Sequence, residues 1–327
     1  MKRLAKVVSS NIKMQVRQLA IFAVLFGISC MVLGADGKPP FSFELQDDRL
    51  IISHSTKPIL HYVFRDDRIR RPYFAHVRTL DGIQVSRRHP PVSGEDATDH
   101  DTMHPGIWIA FGDISDEDFW RNKGTIRHER FDLGPVLANN ELTFATENTL
   151  LSSVSQPMAR LVNRISFSAQ PEGYLLVWDA SFTPTMENFY FGDQEEMGFG
   201  VRVATAIIEK NGGTISNSSG LKGAKATWGK TAAWCDYSGV IDGRRVGVAV
   251  MPDPKNFRLS WFHNRDYGLM AANPFGQNAF TKGPKSKVGI ARGETFRIRW
   301  GVFIHSSSET DSPGLERIYR DFLMALR

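Results

Sequence analysis

TFRIRWGVFIH (295–305) places Phe296, Ile298, Trp300, Val302 and Ile304 on one side of an extended chain and Arg297 and Arg299 on the other. Strict alternation of this kind is the pattern of a strand in a sheet with one covered face. Working outward, further runs rich in Val, Ile, Phe and Thr recur at short spacing: FSFEL (41–45), ILHYVF (59–64), IWIAFG (107–112), ELTFATENTLL (141–151), LVNRISFSA (161–169), YLLVWDASF (174–182), GVRVATAII (200–208) and RVGVAVM (245–251). Turn dipeptides such as Asp81-Gly82, Glu172-Gly173 and Asp242-Gly243 punctuate them. In IWIAFG the alternation sends Ile107, Ile109 and Phe111 one way and Trp108 the other. One helix is expected, at the end of the chain: Ser312 as cap, Pro313 in the first helical position, then Leu315, Ile318, Tyr319, Phe322, Leu323 and Leu326 at helical spacing, packing on the edge or the outer face of a sheet. Many strands without alternating helices point to an all-β fold, a large antiparallel β-sandwich with a C-terminal helix.

The first 35 residues read as a signal peptide. Lys2, Arg3, Lys6, Lys13 and Arg17 precede an apolar stretch, Leu19 to Leu33, that ends at Gly34-Ala35. That stretch is shorter than the roughly 20 residues of a spanning helix and is interrupted by Gly27, Ser29 and Cys30. The expectation is therefore an exported protein, periplasmic or extracellular, without stable membrane insertion after signal cleavage. Residues 36–327 are expected to form a single β-sandwich domain, large enough for a full hydrophobic core. Removing five cations brings the formal charge of +5 to about zero, so the basic balance gives no reason to expect a nucleic-acid partner. Cys235 is the one cysteine beyond the signal, which leaves no intramolecular disulfide. It reads as a small buried hydrophobe rather than a nucleophile.

Charged and aromatic residues bunch in three places near turn residues. The first runs from Arg70-Arg71-Pro72-Tyr73-Phe74 through Arg78, Arg87 and Arg88 to His89-Pro90-Pro91. The second, TDHDTMHPGIWIAFGDISDEDFW (98–120), holds His100, His104, Trp108 and Trp120, with His128 in the strand beyond it. The third holds Trp234, Asp236 and Tyr237, continuing through Trp261, His263, Arg265, Asp266, Tyr267 and Asn273.

RPYFAHVRTLDG (71–82), HPP (89–91), DHDTMHPGIWIAFGDISDEDFW (99–120), AAWCDYSG (232–239) and WFHNRDYGLMAANPFG (261–276) together resemble the exported bacterial proteins called the PmoA family, or methane oxygenase PmoA-like. A methane-oxidising membrane subunit needs several spans of about 20 apolar residues, and residues 36–327 contain none. What the resemblance implies instead is a supersandwich of the galactose-mutarotase type, a fold that hosts epimerases, lyases and sugar-binding modules.

A sugar site suits these residues. Indole faces stack on pyranose rings, while guanidinium, amide and carboxylate groups bond hydroxyls. Trp108, Trp120, Trp234 and Trp261 are the candidate platforms; Arg71, Arg78, Arg265, Asp236, Asp266 and Asn273 are the candidate polar edge. Arginine in such numbers also suits an acidic sugar. Proton transfer beside a carbonyl needs a base, an acid and a cation. His100, His104 or His263 can be the base, Tyr237 or Tyr267 the acid, and Arg78 or Arg265 the cation. Glu195 and Glu196 are further acid–base candidates at the end of a strand. The leading expectation is a carbohydrate-active enzyme (lyase, dehydratase, epimerase or hydrolase) acting on a small sugar or an oligosaccharide.

Each assignment has a plainer counterpart: a histidine in a turn that fixes the loop, an Asp-Tyr pair that makes an Asx turn, a glutamate pair that is simply solvated. Two rival classes stand beside the enzyme, a non-catalytic carbohydrate-binding protein and a metal-dependent enzyme using His100, His104 and His128. No phosphate loop, nucleophile elbow or cysteine zinc motif is present, so no cofactor is expected.

Overall fold

The computed structural model describes residues 40–311 and 313–327. The expected signal peptide and the expected cap Ser312 lie outside the described residues. Strands in chain order are β1 (Phe41–Leu45), β2 (Arg49–His54), β3 (Lys57–Val63), β4 (Tyr73–Ala75), β5 (Ile107–Phe111), β6 (Thr125–Ala138), β7 (Glu141–Leu151), β8 (Pro157–Gln170) and β9 (Gly173–Pro184). They continue with β10 (Phe189–Phe191), β11 (Met197–Arg202), β12 (Thr214–Asn217), β13 (Cys235–Ile241), β14 (Arg244–Pro252), β15 (Trp261–Asn264), β16 (Leu269–Asn273), β17 (Val288–Ile290) and β18 (Phe296–Ser308). Short helices α1 (Ala224–Thr227) and α2 (Gln277–Thr281) lie between strands, and α3 (Leu315–Ala325) follows the last one.

Two antiparallel eight-stranded sheets form the sandwich. Sheet I has the order β1-β2-β3-β4-β5-β11-β16-β15, and sheet II the order β12-β13-β14-β18-β9-β8-β7-β6; β10 and β17 make a separate ribbon. The inward residues of β18 behave as their alternation requires: Ile298, Trp300, Val302 and Ile304 enter the main core. Arg297 turns outward to Asp179, and Arg299 to Asp253. Aromatic contacts stitch the sheets together, with Phe74 against Trp178 at 5.4 Å, Phe111 against Phe182 at 5.4 Å and Phe199 against Trp300 at 5.3 Å.

Helix α3 covers the outer face of sheet II. Leu315, Ile318 and Phe322 pack on Leu175, Ala249, Met251 and Phe303. Its first residue is Leu315 rather than Pro313, and Gly314 precedes it in the left-handed region at φ 59°. GVRVATAII is strand only to Arg202; beyond it the chain leaves the sheet in two 3-10 turns, fixed by Asn211 Nδ2 donating to the Thr205 carbonyl at 2.7 Å. Conversely, the Trp234 and Trp261 segments, which looked turn-rich, run into the strands β13 and β15. Among the described residues no helix is long and apolar enough to cross a membrane.

Candidate functional site

The outer face of sheet I carries most of the chemistry. Register across neighbouring strands aligns Val63, Tyr73, Trp108, Gly200, Ala271 and His263 in one row. The adjoining rows on the same face contain Arg202 and Leu269 on one side, and Ala110, Gly198, Asn273 and Trp261 on the other. β11 therefore presents Gly198 and Gly200 outward between Phe199 and Val201, which enter the core. Side chains this small let neighbouring groups close over β11. The Trp108 indole lies over Gly200, so close that a Cβ there would stand 2.4 Å from Trp108 Cζ2. Strands are spaced by about 4.8 Å, which leaves roughly 10 Å from Gly200 across β16 to the His263 Cα.

A stack of rings walls one side. His104 lies parallel to Trp108, at 5.2 Å and 13°. Trp120 meets both edge-on, at 5.3 Å from Trp108 and 5.9 Å from His104. His100 continues the stack at 4.9 Å from His104, and Tyr267 at 6.3 Å from His100. Because Trp108 is fully buried between His104 and Gly200, it is a back plate for His104 and offers no free face to a sugar; Trp120 is equally buried. Both therefore correct the expectation of exposed platforms. Trp261, stacked on Phe280, is half-buried.

Two buried guanidiniums hold the loops that carry these rings. Arg71 donates to the carbonyls of Phe119, Trp120 and Met103 and to Asn122 Oδ1. Arg87 donates to the carbonyls of Ala97, Asp99, His100 and His104. Irregular segments leave carbonyls without ladder partners, and a buried guanidinium satisfies several at once. Arg71 is thereby a clamp, not the ligand-binding group expected. Arg202 makes a bidentate pair with Asp99 at 2.8 and 3.0 Å, Asp99 holds His100 Nδ1 at 2.8 Å, and Tyr267 covers the Arg202 guanidinium at 4.7 Å.

Hydrogen-bond partners sort the two buried histidines. His104 is 2% exposed, and its Nδ1 stands 3.4 Å from Arg202 Nη1. A guanidinium only donates, so Nδ1 is the acceptor and the proton of the neutral ring sits on Nε2. That Nε2 is buried and without a partner. His263 is 3% exposed, and its Nδ1 donates to the Glu195 carbonyl at 3.1 Å. Its Nε2 is therefore the bare nitrogen, buried, unbonded and 3.6 Å from Glu195 Oε2. Burial, then the charges of Arg202, His100 and neighbouring arginines, hold the His104 ring well below the usual imidazole range. Burial and Arg265 push His263 down to about 4. Both are neutral at pH 7.

Around them lie partly exposed polar groups. Arg265 Nη2 bonds Glu195 Oε2 at 2.9 Å, and Arg121 pairs with Glu196. Burial keeps the Tyr267 phenol raised and protonated. Asn273 is spent on the turn that positions Glu195: Nδ2 donates to the carbonyls of Gln194 and Glu195, and Oδ1 accepts from the Phe275 and Gly276 amides. Asp266, in the turn between β15 and β16, is exposed and 3.6 Å from Lys210.

Other expected residues lie elsewhere. Asp236 is on the outer face of sheet II, 2.8 Å from buried His305, and Trp234 donates to Glu316 of α3. Tyr237 points into the core between the sheets, where its hydroxyl donates to the Asp266 carbonyl and accepts the Glu209 amide. Arg78 donates to the Gly82 carbonyl and lines a separate cleft with Lys57, His61 and His76. His128 packs against Phe64 at 4.5 Å and Phe131 at 5.2 Å, so it does not join His100 and His104 as a third ligand. Among the described residues no group of three or more His, Cys, Asp or Glu side chains is arranged to hold a metal ion. Cys235 is buried, its thiol pushed up by desolvation, and accepts from Asn264 Nδ2. Arg202 and Asp99 were not singled out from sequence, although an arginine at the outward parity of Gly198 and Gly200 in GFGVRV is a legible signal.

No curated protein matches this chain. Solved structures similar to it include a TPR-domain-containing protein from Parabacteroides distasonis (8% identity, 79% of this chain and 47% of that one, TM-score 0.44) and a beta-arabinopyranosidase (10%, 79% and 40%, TM-score 0.45). The chain spans less than half the length of either. A galactose mutarotase-like protein from Lactobacillus casei is also similar, at 8% identity over 81% of this chain and all of the other, with a TM-score of 0.36. The neighbours thus include carbohydrate-active enzymes, at identities that transfer no activity. Neither the matching family model nor the structures named above carry the methane oxygenase label. The family model that matches spans residues 49–319, and on that match the chain belongs to the family of unknown function DUF6807.

Proposed function

We propose that this protein is an exported carbohydrate-active enzyme that moves protons on a sugar, by epimerisation or elimination, on the outer face of sheet I that carries His104 and His263. One observation carries the reading: two buried neutral histidines on one sheet face present opposite tautomers, a bare Nε2 on His263 and an Nε2–H on His104. A buried ring nitrogen without a partner calls for an explanation, and a polar atom of a ligand would supply one at each ring. His263 Nε2 takes the proton; the carboxylate of Glu195, 3.6 Å away, stabilises the imidazolium that results. His104 Nε2–H donates to the oxygen on which negative charge grows, with the Trp108 plate fixing its ring. Arg265 and Arg121 at the rim suit a carboxylate or several hydroxyls.

The test is incubation of the purified protein with neutral and uronate sugars in deuterated water, following exchange, epimer or unsaturated product by NMR. His263→Ala and His104→Ala are each expected to lower turnover at least about a hundredfold while ligand binding largely persists. Binding with no turnover in the wild type would replace the enzyme by a sugar-binding protein. Turnover that survives both substitutions would remove the site.

A further inference from the structure

We infer that the cleft beside Trp228 is a second sugar subsite, which makes the ligand an oligosaccharide rather than a single sugar. The inference rests on the sugar reading of the sheet I face that carries His104 and His263. Trp228 directly follows α1 and lines a cleft of about 560 Å³ together with Lys210, Lys225, Asn264, Arg265 and Asp266. That volume falls within the range of small-molecule sites. The indole is half-buried, and its Nε1 is shielded from solvent and without a partner.

The cleft is joined to the first site by aromatic contacts and by one shared cation. Phe280 meets Trp228 at 5.4 Å, Trp261 at 6.1 Å and His263 at 6.2 Å, giving a continuous ledge from the His263 wall to Trp228. The Arg265 guanidinium lies 5.9 Å from the Trp228 ring and bonds Glu195, whose carboxylate is 3.6 Å from His263 Nε2. Adjacent rings of one glycan, beside His263 and in the cleft, would therefore share Arg265 between them.

The lining chemistry selects the ligand. An indole offers an apolar plate, and the groups around it mix both signs: Lys225 carries no ion pair among the described residues, while Lys210 and Asp266 face one another at 3.6 Å. Acceptors and donors side by side match hydroxyls, which do both. Asp266 in the wall works against a polyphosphate or nucleic-acid backbone.

The full chain is titrated by calorimetry with neutral and uronate-bearing oligosaccharide series from one to four units. Wild type is expected to gain about tenfold or more in affinity between the single sugar and the longer members. Trp228→Ala is expected to erase roughly three- to tenfold of that gain, the range of an aromatic stacking contact, without changing affinity for the single sugar. Trp228→Phe should keep most of it, which separates a lost plate from a damaged fold, and Lys225→Ala should reduce it. Affinity independent of length, or unchanged by Trp228→Ala and Lys225→Ala, overturns the subsite, while single-sugar turnover lost in His104→Ala leaves the first site standing. Loss of single-sugar binding in folded Trp228→Ala also overturns a separate subsite. Failure of every series to bind wild type overturns both readings.

Discussion

Substituting Gly200 by alanine tests the seat of the ring stack. Its backbone is not in the left-handed region, so the effect comes from space alone. The new Cβ stands 2.4 Å from Trp108 Cζ2 and 2.5 Å from Cε2, about 1 Å inside ordinary carbon contact. Trp108 has nowhere to retreat, with His104 against its free face and Trp120 at its edge. Overpacking of a buried ring costs about 1–3 kcal/mol. For a domain of this size that is roughly 3–10 °C in Tm, at about 2–4 °C per kcal/mol. Because His104 rides on Trp108, turnover or sugar binding should fall with it. Gly134→Ala is the control: it is exposed, with nothing within 4 Å, and should stay within about 0.5 kcal/mol of wild type. Thermal and urea unfolding followed by tryptophan fluorescence measure both. Gly200→Ala that unfolds like wild type would refute the seating of Trp108 on β11.

Acid should destabilise the protein in a defined window. Folded His263 stays neutral down to about 4, whereas the unfolded chain protonates near 6.5. Between those values the unfolded state binds more protons, so stability is full above pH 6.5 and falls toward pH 4, by up to about 3 kcal/mol from this residue. His263→Gln should lessen the pH slope of the urea midpoint between those values without abolishing it, because burial also holds His61, His89 and His128 near 4; an unchanged slope sinks the claim. Arg71→Met should cost about 2–4 kcal/mol in urea unfolding by stranding the carbonyls of Phe119, Trp120 and Met103, and a near-neutral result would show they find other donors. Asp236→Asn, on the opposite face of the sandwich, should lower stability but leave kcat/KM unchanged; a lost activity would relocate the site.

Alternation made the long strands legible: β1 and β7 have the bounds read from sequence, and β18 turns the expected residues inward. Short strands with polar outward residues were not legible. CDYSGVI carries Asp236 and Ser238 on a face where burial is offset by His305, and WFHN is an edge strand whose Trp261 lies on a ledge while Phe262 enters the core. The second and third motif clusters do contribute His100, His104, His263, Arg265 and Tyr267 to one face. Sequence could not separate these from Trp234 and Tyr237, because adjacent residues in a strand point to opposite faces and no spacing reveals which sheet a strand joins. Nor could it show that Arg71 and Trp108 are spent on holding the site. That role depends on loop carbonyls and on Gly200, all distant in sequence.

Nitrogen-15 NMR of the histidine rings at pH 7 tests the central claim most directly, because it reads which ring nitrogen carries the proton. His104 is expected neutral with its proton on Nε2, and His263 neutral with its proton on Nδ1. The same tautomer on both rings, or an imidazolium at either position, would contradict the assignment of donor and base on which the proposed chemistry stands.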